Sequence, residues 1–291
     1  MMALTMMLIR YCLILPAFHT EALITGVMPE HMSRINFALL TFATLLIAAA
    51  GNIINDRFDI IADEINKPGK NIISKAISIN AANRAFVTLS IIGSFIGIWL
   101  GMLTGKPAIA FIHPFCAVSL WMYAAYYKRR LLSGNLLIAL LAMLLVLVPG
   151  LFEPEFYRNF IYLLIYGLFA FLSTLSREII KDIEDLDGDE RMQCKTIPVR
   201  YGINAAKRIA MTIIVITIIF LSAVIHYFFL DSTVISWWNL MLILTLPLLG
   251  LLYLLIQAKE QKDFHWSSQF MKAYMLLGIL TMFPLWYYIL K

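Results

Sequence analysis

Apolar runs close to twenty residues long recur along the whole of this chain. A helix needs about twenty residues to cross the roughly 30 Å hydrocarbon layer of a bilayer. Within that layer every backbone N–H and C=O must be satisfied inside the segment, so such runs become helices. The runs predict spans at Leu8–Met28, Ile35–Ile54, Ala85–Leu103, Ile109–Tyr127, Leu136–Phe152, Phe160–Leu175, Ile209–Phe229, Val234–Ile256 and Phe270–Leu290. The fifth and sixth are expected to be short, broken by Pro149, Gly150 and Pro154. Only 14% of the 291 residues are charged and 61% are hydrophobic, with a mean hydropathy of +0.82. Soluble domains carry about 25% charge. No polar stretch is long enough for a separate soluble unit. Residues 1–291 are therefore expected to form one all-α membrane domain, a multi-pass bundle of about nine transmembrane helices around a central cavity.

The basic residues orient that bundle. The loop after the second expected span carries Arg57, Lys67, Lys70, Lys75 and Arg84, and the loop after the fourth carries Lys128, Arg129 and Arg130. The loop after the sixth carries Arg177, Lys181, Arg191, Lys195, Arg200, Lys207 and Arg208, and the loop after the eighth Lys259 and Lys262. The opposite loops hold only Arg34, Lys106 and Arg158. Cytoplasmic loops are the ones rich in Lys and Arg. With nine spans the N-terminus is then expected in the cytoplasm, in what is expected to be the cell inner membrane. The first run lacks the charged lead and small-residue cleavage site of a signal peptide. Cys12, Cys116 and Cys194 lie far apart, without metal-type spacing, and read as packing residues rather than disulfide partners.

Two acidic stretches sit on the side expected to face the cytoplasm. Asn55, Asp59 and Asp63 are spaced i, i+4, i+8, one face of a helix. Glu178, Asp182, Asp185 and Asp189 are spaced i, i+4, i+7, i+11, again one stripe. Asp59 and Asp185 hold similar positions after even-numbered spans, a loose echo of two related halves. Acids at a membrane boundary are costly and point to function. Facing carboxylate stripes suit hard divalent cations, with a diphosphate supplying further oxygen ligands. Lys70, Arg177, Lys181, Arg191 and Lys195 flank the acids, which suits an anionic, metal-bound head with an apolar tail below.

The string Asn55-Asp56-x-x-Asp59-x-x-x-Asp63 resembles the first signature of the UbiA-type intramembrane prenyltransferases. Arg177-Glu178-Ile179-Ile180-Lys181-Asp182-Ile183-Glu184-Asp185-Leu186-Asp187-Gly188-Asp189 resembles their second, continued by Thr196-Ile197-Pro198 and Gly202. This second string is closest to the branch that makes digeranylgeranylglyceryl phosphate. The chain departs from the pattern Arg-Pro-Ile-Pro-Ser-Gly, reading Lys70-Asn71-Ile72-Ile73-Ser74-Lys75 instead. Lys keeps the charge there but not a bidentate fork.

The resemblance implies a Mg2+-dependent enzyme whose partners are an isoprenyl diphosphate, a lipophilic acceptor and the bilayer, with no nucleic acid. It implies that Asn55, Asp56, Asp59, Asp63, Asp185 and Asp189 bind metal. Asn66, Lys70, Lys128, Asn135, Arg177, Lys181 and Lys195 would bind substrate. Tyr123 and Tyr126 would face an allylic cation, and Asp182 would take the acceptor's proton. The acceptor expected is geranylgeranylglyceryl phosphate, with an aromatic quinone precursor or a chlorin as the alternative. A cation transporter is the alternative from another class, but it predicts acids at mid-span rather than at span ends.

Blander roles compete at several positions. Glu184, Asp187 and Glu190 point away from the second stripe and read as solvated surface. Tyr123 and Tyr126 could equally belong to the interfacial aromatic belt. Lys128, Arg129 and Arg130 read first as topology determinants, and Asn135 as a helix cap or cavity residue. The five histidines are expected to be packed or interfacial.

Overall fold

The computed structural model describes residues 1–28, 30–66, 68–69, 71–153, 160–229 and 237–289, without the side chains of 228–229, 237–238 and 288–289. Lys70, Pro154, Arg158, Val234 and Leu290 lie outside the described residues. Among those described, nine helices are long and apolar enough to cross a bilayer. They are α1 (Met2–Thr25), α2 (Arg34–Phe58), α4 (Ile79–Leu103), α5 (Pro107–Ala125), α6 (Ser133–Phe152), α7 (Phe160–Glu184), α10 (Ile203–Phe229), α11 (Trp237–Gln257) and α12 (Gln261–Leu280), the last continued by α13 (Met282–Ile289). Three short helices sit between them: α3 (Ile60–Asn66), α8 (Leu186–Arg191) and α9 (Ile197–Tyr201).

Many helices overrun the apolar runs at their polar ends. α7 continues through Arg177 to Glu184, and the ninth span starts at Gln261 rather than Phe270. Caps, not hydropathy, end these helices. Ser33 accepts from the Asn36 N–H and Ser78 from the Ala81 N–H, and Glu260 with Asp263 forms a reciprocal capping box. Pro149 does not break its helix, because α6 runs on to Phe152.

α7 is the staff of one half of the bundle, packed along α6, α10 and α12. In the other half α2 packs along α4 and α5. Gly93, Gly97 and Gly101 form a small-residue stripe on α4, against Ile47, His113 and Ala110 respectively. Such stripes let membrane helices close on one another where the hydrophobic effect gives no help. Outward-facing side chains such as Phe95, Ile219 and Leu246 are large, apolar and exposed, as a lipid-facing surface requires.

The first helix departs from expectation. Met6 packs with Phe37, Leu40, Leu100 and Phe152, all at the ends of their helices remote from the acidic segments. The Arg10 guanidinium pairs with Glu153 at 2.6 Å, donates to the Met32 carbonyl and lies 4.5 Å from the Phe37 ring centroid. A π-helical stretch, Ile9–Ile14, contains Arg10. Met2 and Thr5 line the central cavity. Met2 and Thr5 therefore lie inside the bundle, and Met6 packs away from the acidic side. An apolar run cannot report this, because the choice is made by one buried arginine and its distant partner.

Candidate active site

α2 ends where its carboxylates begin. Asp59 leaves helical geometry at φ −94°, ψ 3°, yet its N–H still bonds the Asn55 carbonyl, and α3 starts at the next residue. The bend aims Asp59 inward, where it is only 8% exposed. Asn55 Nδ2 donates to Asp59 Oδ2 at 2.7 Å, and the Lys128 ammonium pairs with the same oxygen. Asn55 Oδ1 is buried and has no hydrogen-bond partner. One turn further on, Asp63 Oδ2 accepts from Asn71 Nδ2 at 2.8 Å. Asn71, one of the departures from the family pattern, also donates to the Asp56 carbonyl.

The second segment repeats the bend. Asp185 sits at φ −94°, ψ 12°, between the last turn of α7 and α8. Asp189 is 8% exposed and accepts from Thr196 Oγ1 at 3.2 Å. Burial, with the nearby Asp185 and Asp59 carboxylates, pushes Asp189 up to about 6 against the pull of Lys128. The two acidic ridges are also joined directly, through Asn66. Burial, aided by Asp189, also lifts the neighbouring Cys194 thiol to about 11, which makes it inert.

Asn66 clasps the two ridges. Its Nδ2 donates to the Asp185 carbonyl at 3.1 Å and its Oδ1 accepts from the Gly188 N–H at 2.9 Å. A Cβ at Gly188 would meet Asn66 Nδ2 at 2.4 Å, so only glycine permits the clasp. Asn66, expected to touch substrate, thus has both polar atoms engaged in joining α3 to α8.

Below the ridges lies a cavity of about 430 Å³. Asn55, Tyr123, Arg177, Glu178 and Lys181 ring its polar mouth, and Ile47, Leu120, Leu141 and Phe169 line its apolar body. Arg177 pairs with Glu178 at 2.8 Å, while its buried Nε has no partner. Asn135 Nδ2 donates to Asp182 Oδ2 at 2.8 Å and so orients that carboxylate. Deeper, the His113 ring bonds Thr44 Oγ1 at 3.2 Å. Thr44 already donates to the Leu40 carbonyl, so the ring Nε2–H is the donor and His113 is a packed residue, as expected.

Three expectations need correction. Tyr126 is 54% exposed and packs edge-on to Trp121 at 5.7 Å, on the outer surface rather than over the cavity. Its position one turn from Tyr123 misled, because the helix ends at Ala125 and changes direction. Lys195 is exposed, tied to the site only through its N–H to the Arg129 carbonyl. Glu184 is 6% exposed rather than solvated, paired with His265 at 2.8 Å. Gln261 donates to the Glu184 carbonyl, so α12 braces the end of α7. Glu178 went unassigned from sequence, although its place in the acidic stripe was the signal for it.

Among the described residues no three acidic, His or Cys side chains form a ready-made metal cluster. The donor set nonetheless fits magnesium. It is all oxygen, it includes the unpartnered Asn55 Oδ1, and a cation, Lys128, already sits on Asp59.

A bundle of membrane-spanning helices that sets facing acids and cations over a greasy hollow defines an enzyme of amphiphilic, anionic substrates. The chain belongs to the UbiA prenyltransferase family, which matches residues 14–280, and so is a membrane enzyme that transfers prenyl groups. Digeranylgeranylglyceryl phosphate synthase of Methanosphaera stadtmanae is 31% identical over 251 residues, 86% of this chain and 88% of that protein. The synthase of that name from Sulfolobus acidocaldarius is 36% identical over 249 residues, 86% and 85% of the two chains. Among solved structures, one concerned with digeranylgeranylglyceryl phosphate synthase in membranes superposes with a TM-score of 0.64 at 24% identity, covering 100% and 98% of the two chains. A UbiA homologue from Archaeoglobus fulgidus, bound to DMAPP and Mg2+, superposes with a TM-score of 0.58 at 17% identity, covering 96% and 98%. These two structures share the fold.

Proposed function

We propose that this enzyme moves a geranylgeranyl group from geranylgeranyl diphosphate to the hydroxyl of geranylgeranylglyceryl phosphate. The observation that carries the reading is the pair of acidic segments clasped by Asn66 beside an apolar cavity whose mouth holds Asn55, Tyr123, Arg177, Glu178 and Lys181. The synthases named above support the choice of acceptor.

Asn55, Asp56, Asp59, Asp63, Asp185 and Asp189 would hold Mg2+, which when bound supplies positive charge to the leaving diphosphate. Arg177 and Lys181 at the mouth, with Lys128 on Asp59, add cationic charge around the same group. The allylic C–O bond breaks and its electron pair leaves with the diphosphate. The Tyr123 ring at the cavity mouth faces the carbon that becomes cationic. The acceptor oxygen forms the new C–O bond and loses its proton to Asp182, whose other oxygen Asn135 holds. The apolar body of the cavity keeps out water that would otherwise capture the cation. The lysine- and arginine-rich loops beside the acids support a site that faces the cytoplasm from an inner membrane.

The test is purified protein with labelled geranylgeranyl diphosphate, geranylgeranylglyceryl phosphate and Mg2+. The expected product is the doubly prenylated glyceryl phosphate. Transfer only to an aromatic quinone precursor would overturn the acceptor but not the chemistry. Cation flux in proteoliposomes without diphosphate release would overturn both.

A further inference from the structure

A second, smaller apolar chamber of about 70 Å³ lies behind the main cavity, between α7, α10, α11 and α12–α13. Leu221, Ile225, Leu240, Leu244 and Leu285 line most of it. Tyr166 and Phe169 line both chambers and so form the wall between them.

That wall is built with care. Phe169 nests on Gly278, where an added Cβ would meet the ring at 2.3 Å, and packs edge-on to Tyr274 at 5.7 Å. The Tyr166 hydroxyl lies 3.0 Å from Thr281 Oγ1. Thr281 already donates to the Gly278 carbonyl at 2.6 Å, so Tyr166 is the donor. Thr281 is also where the ninth span breaks, between α12 and α13, with Pro284 following. This hydrogen bond across the wall is therefore anchored where α12 gives way to α13.

Depth decides what can reach this place. Tyr166 lies sixteen residues before Asp182 on the same helix, about 24 Å at 1.5 Å per residue. An extended isoprenyl chain of four units, its diphosphate at the acidic mouth, has a length of that order. A head group cannot be the occupant, because the lining offers it almost nothing polar. From the reading of the reaction above, we infer that the chamber behind Tyr166 and Phe169 receives the distal end of the donor's isoprenyl chain and sets the chain length the enzyme prefers. Val224, which lines only this chamber, and Phe169 of the wall are then length-determining residues and not catalytic ones.

The inference is tested by the ratio of kcat/KM for donors of fifteen, twenty and twenty-five carbons, with acceptor and Mg2+ saturating. Val224→Phe fills the chamber and is expected to lower the C20-to-C15 ratio about tenfold, the scale on which apolar pockets discriminate chain increments. Phe169→Ala widens the passage between the chambers and is expected to raise the C25-to-C20 ratio severalfold. Each variant moves a ratio in its own direction, so either one decides if the other does not fold. Ratios that stay within twofold of wild type while transfer continues overturn the chamber's role alone. A wild type that transfers no allylic diphosphate overturns the reaction itself, and this inference with it.

Discussion

Asp59 and Asp185 adopt nearly the same backbone conformation, φ −94° with ψ 3° and 12°, each at the end of a long helix and the start of a short one. The two acidic segments are thus built as copies of one bend. They differ in how their charge is held. In the first, Lys128 pairs with Asp59 and two asparagines, Asn55 and Asn71, hold the carboxylates. In the second, Asp189 has a hydroxyl from Thr196 and is lifted to about 6 by burial and neighbouring acids. The first ridge therefore carries a countercharge directly on Asp59. In the second, Asp189 is raised by burial, and a cation arriving there would offset the crowding by its neighbouring acids. The lesson is that two-fold likeness in backbone need not mean equal work.

That contrast can be broken at several points. Asp59→Ala and Asp189→Ala are each expected to cut turnover by about a thousandfold or more, with the helical content unchanged by circular dichroism. Near-normal product formation by either at saturating Mg2+ would show that its ridge does not bind metal. Lys128→Met leaves Asp59 without its ion-pair partner and is expected to lower kcat/KM for the diphosphate ten- to a hundredfold. A larger effect from Arg177→Met than from Lys128→Met would reverse the ranking of the two ridges.

Metal binding needs the deprotonated carboxylate. Because Asp189 titrates at about 6, apparent Mg2+ affinity is expected to fall as pH drops through 6, by about tenfold per unit below it. The Asp59 variant should retain this dependence and the Asp189→Asn variant should lose it. A change of the clasp acts on stability more than on chemistry. Asn66→Ala removes two hydrogen bonds between the ridges and is expected to cost about 2 kcal/mol on unfolding in detergent. Tyr126→Phe, on the outer surface, is expected to leave turnover within twofold of wild type.

Much of this architecture is written plainly in the chain. Each of the nine apolar runs has, among the described residues, a helix long and apolar enough to cross a bilayer, because a bilayer forces that translation. The acidic spacing gave both ridges, because i, i+4 periodicity survives a shallow bend. What stayed hidden needed contacts across the chain. Asn66 and Gly188 are 122 residues apart, and nothing local marks either as half of a clasp. Glu184 reads as surface until His265, 81 residues later, covers it. Tyr126 reads as cavity-lining until the helix is seen to stop one residue earlier. The polar overhangs of α7 and α12 were missed for a related reason. Hydropathy marks where lipid ends, not where a cap ends the helix.

The pairing of Arg10 with Glu153 also bears on how the chain is made. Arg10 leaves the ribosome 143 residues before its partner exists. Until then its guanidinium lacks the carboxylate that pairs with it in the folded bundle. The segment that carries Arg10 is thus seated only once the fifth span is complete.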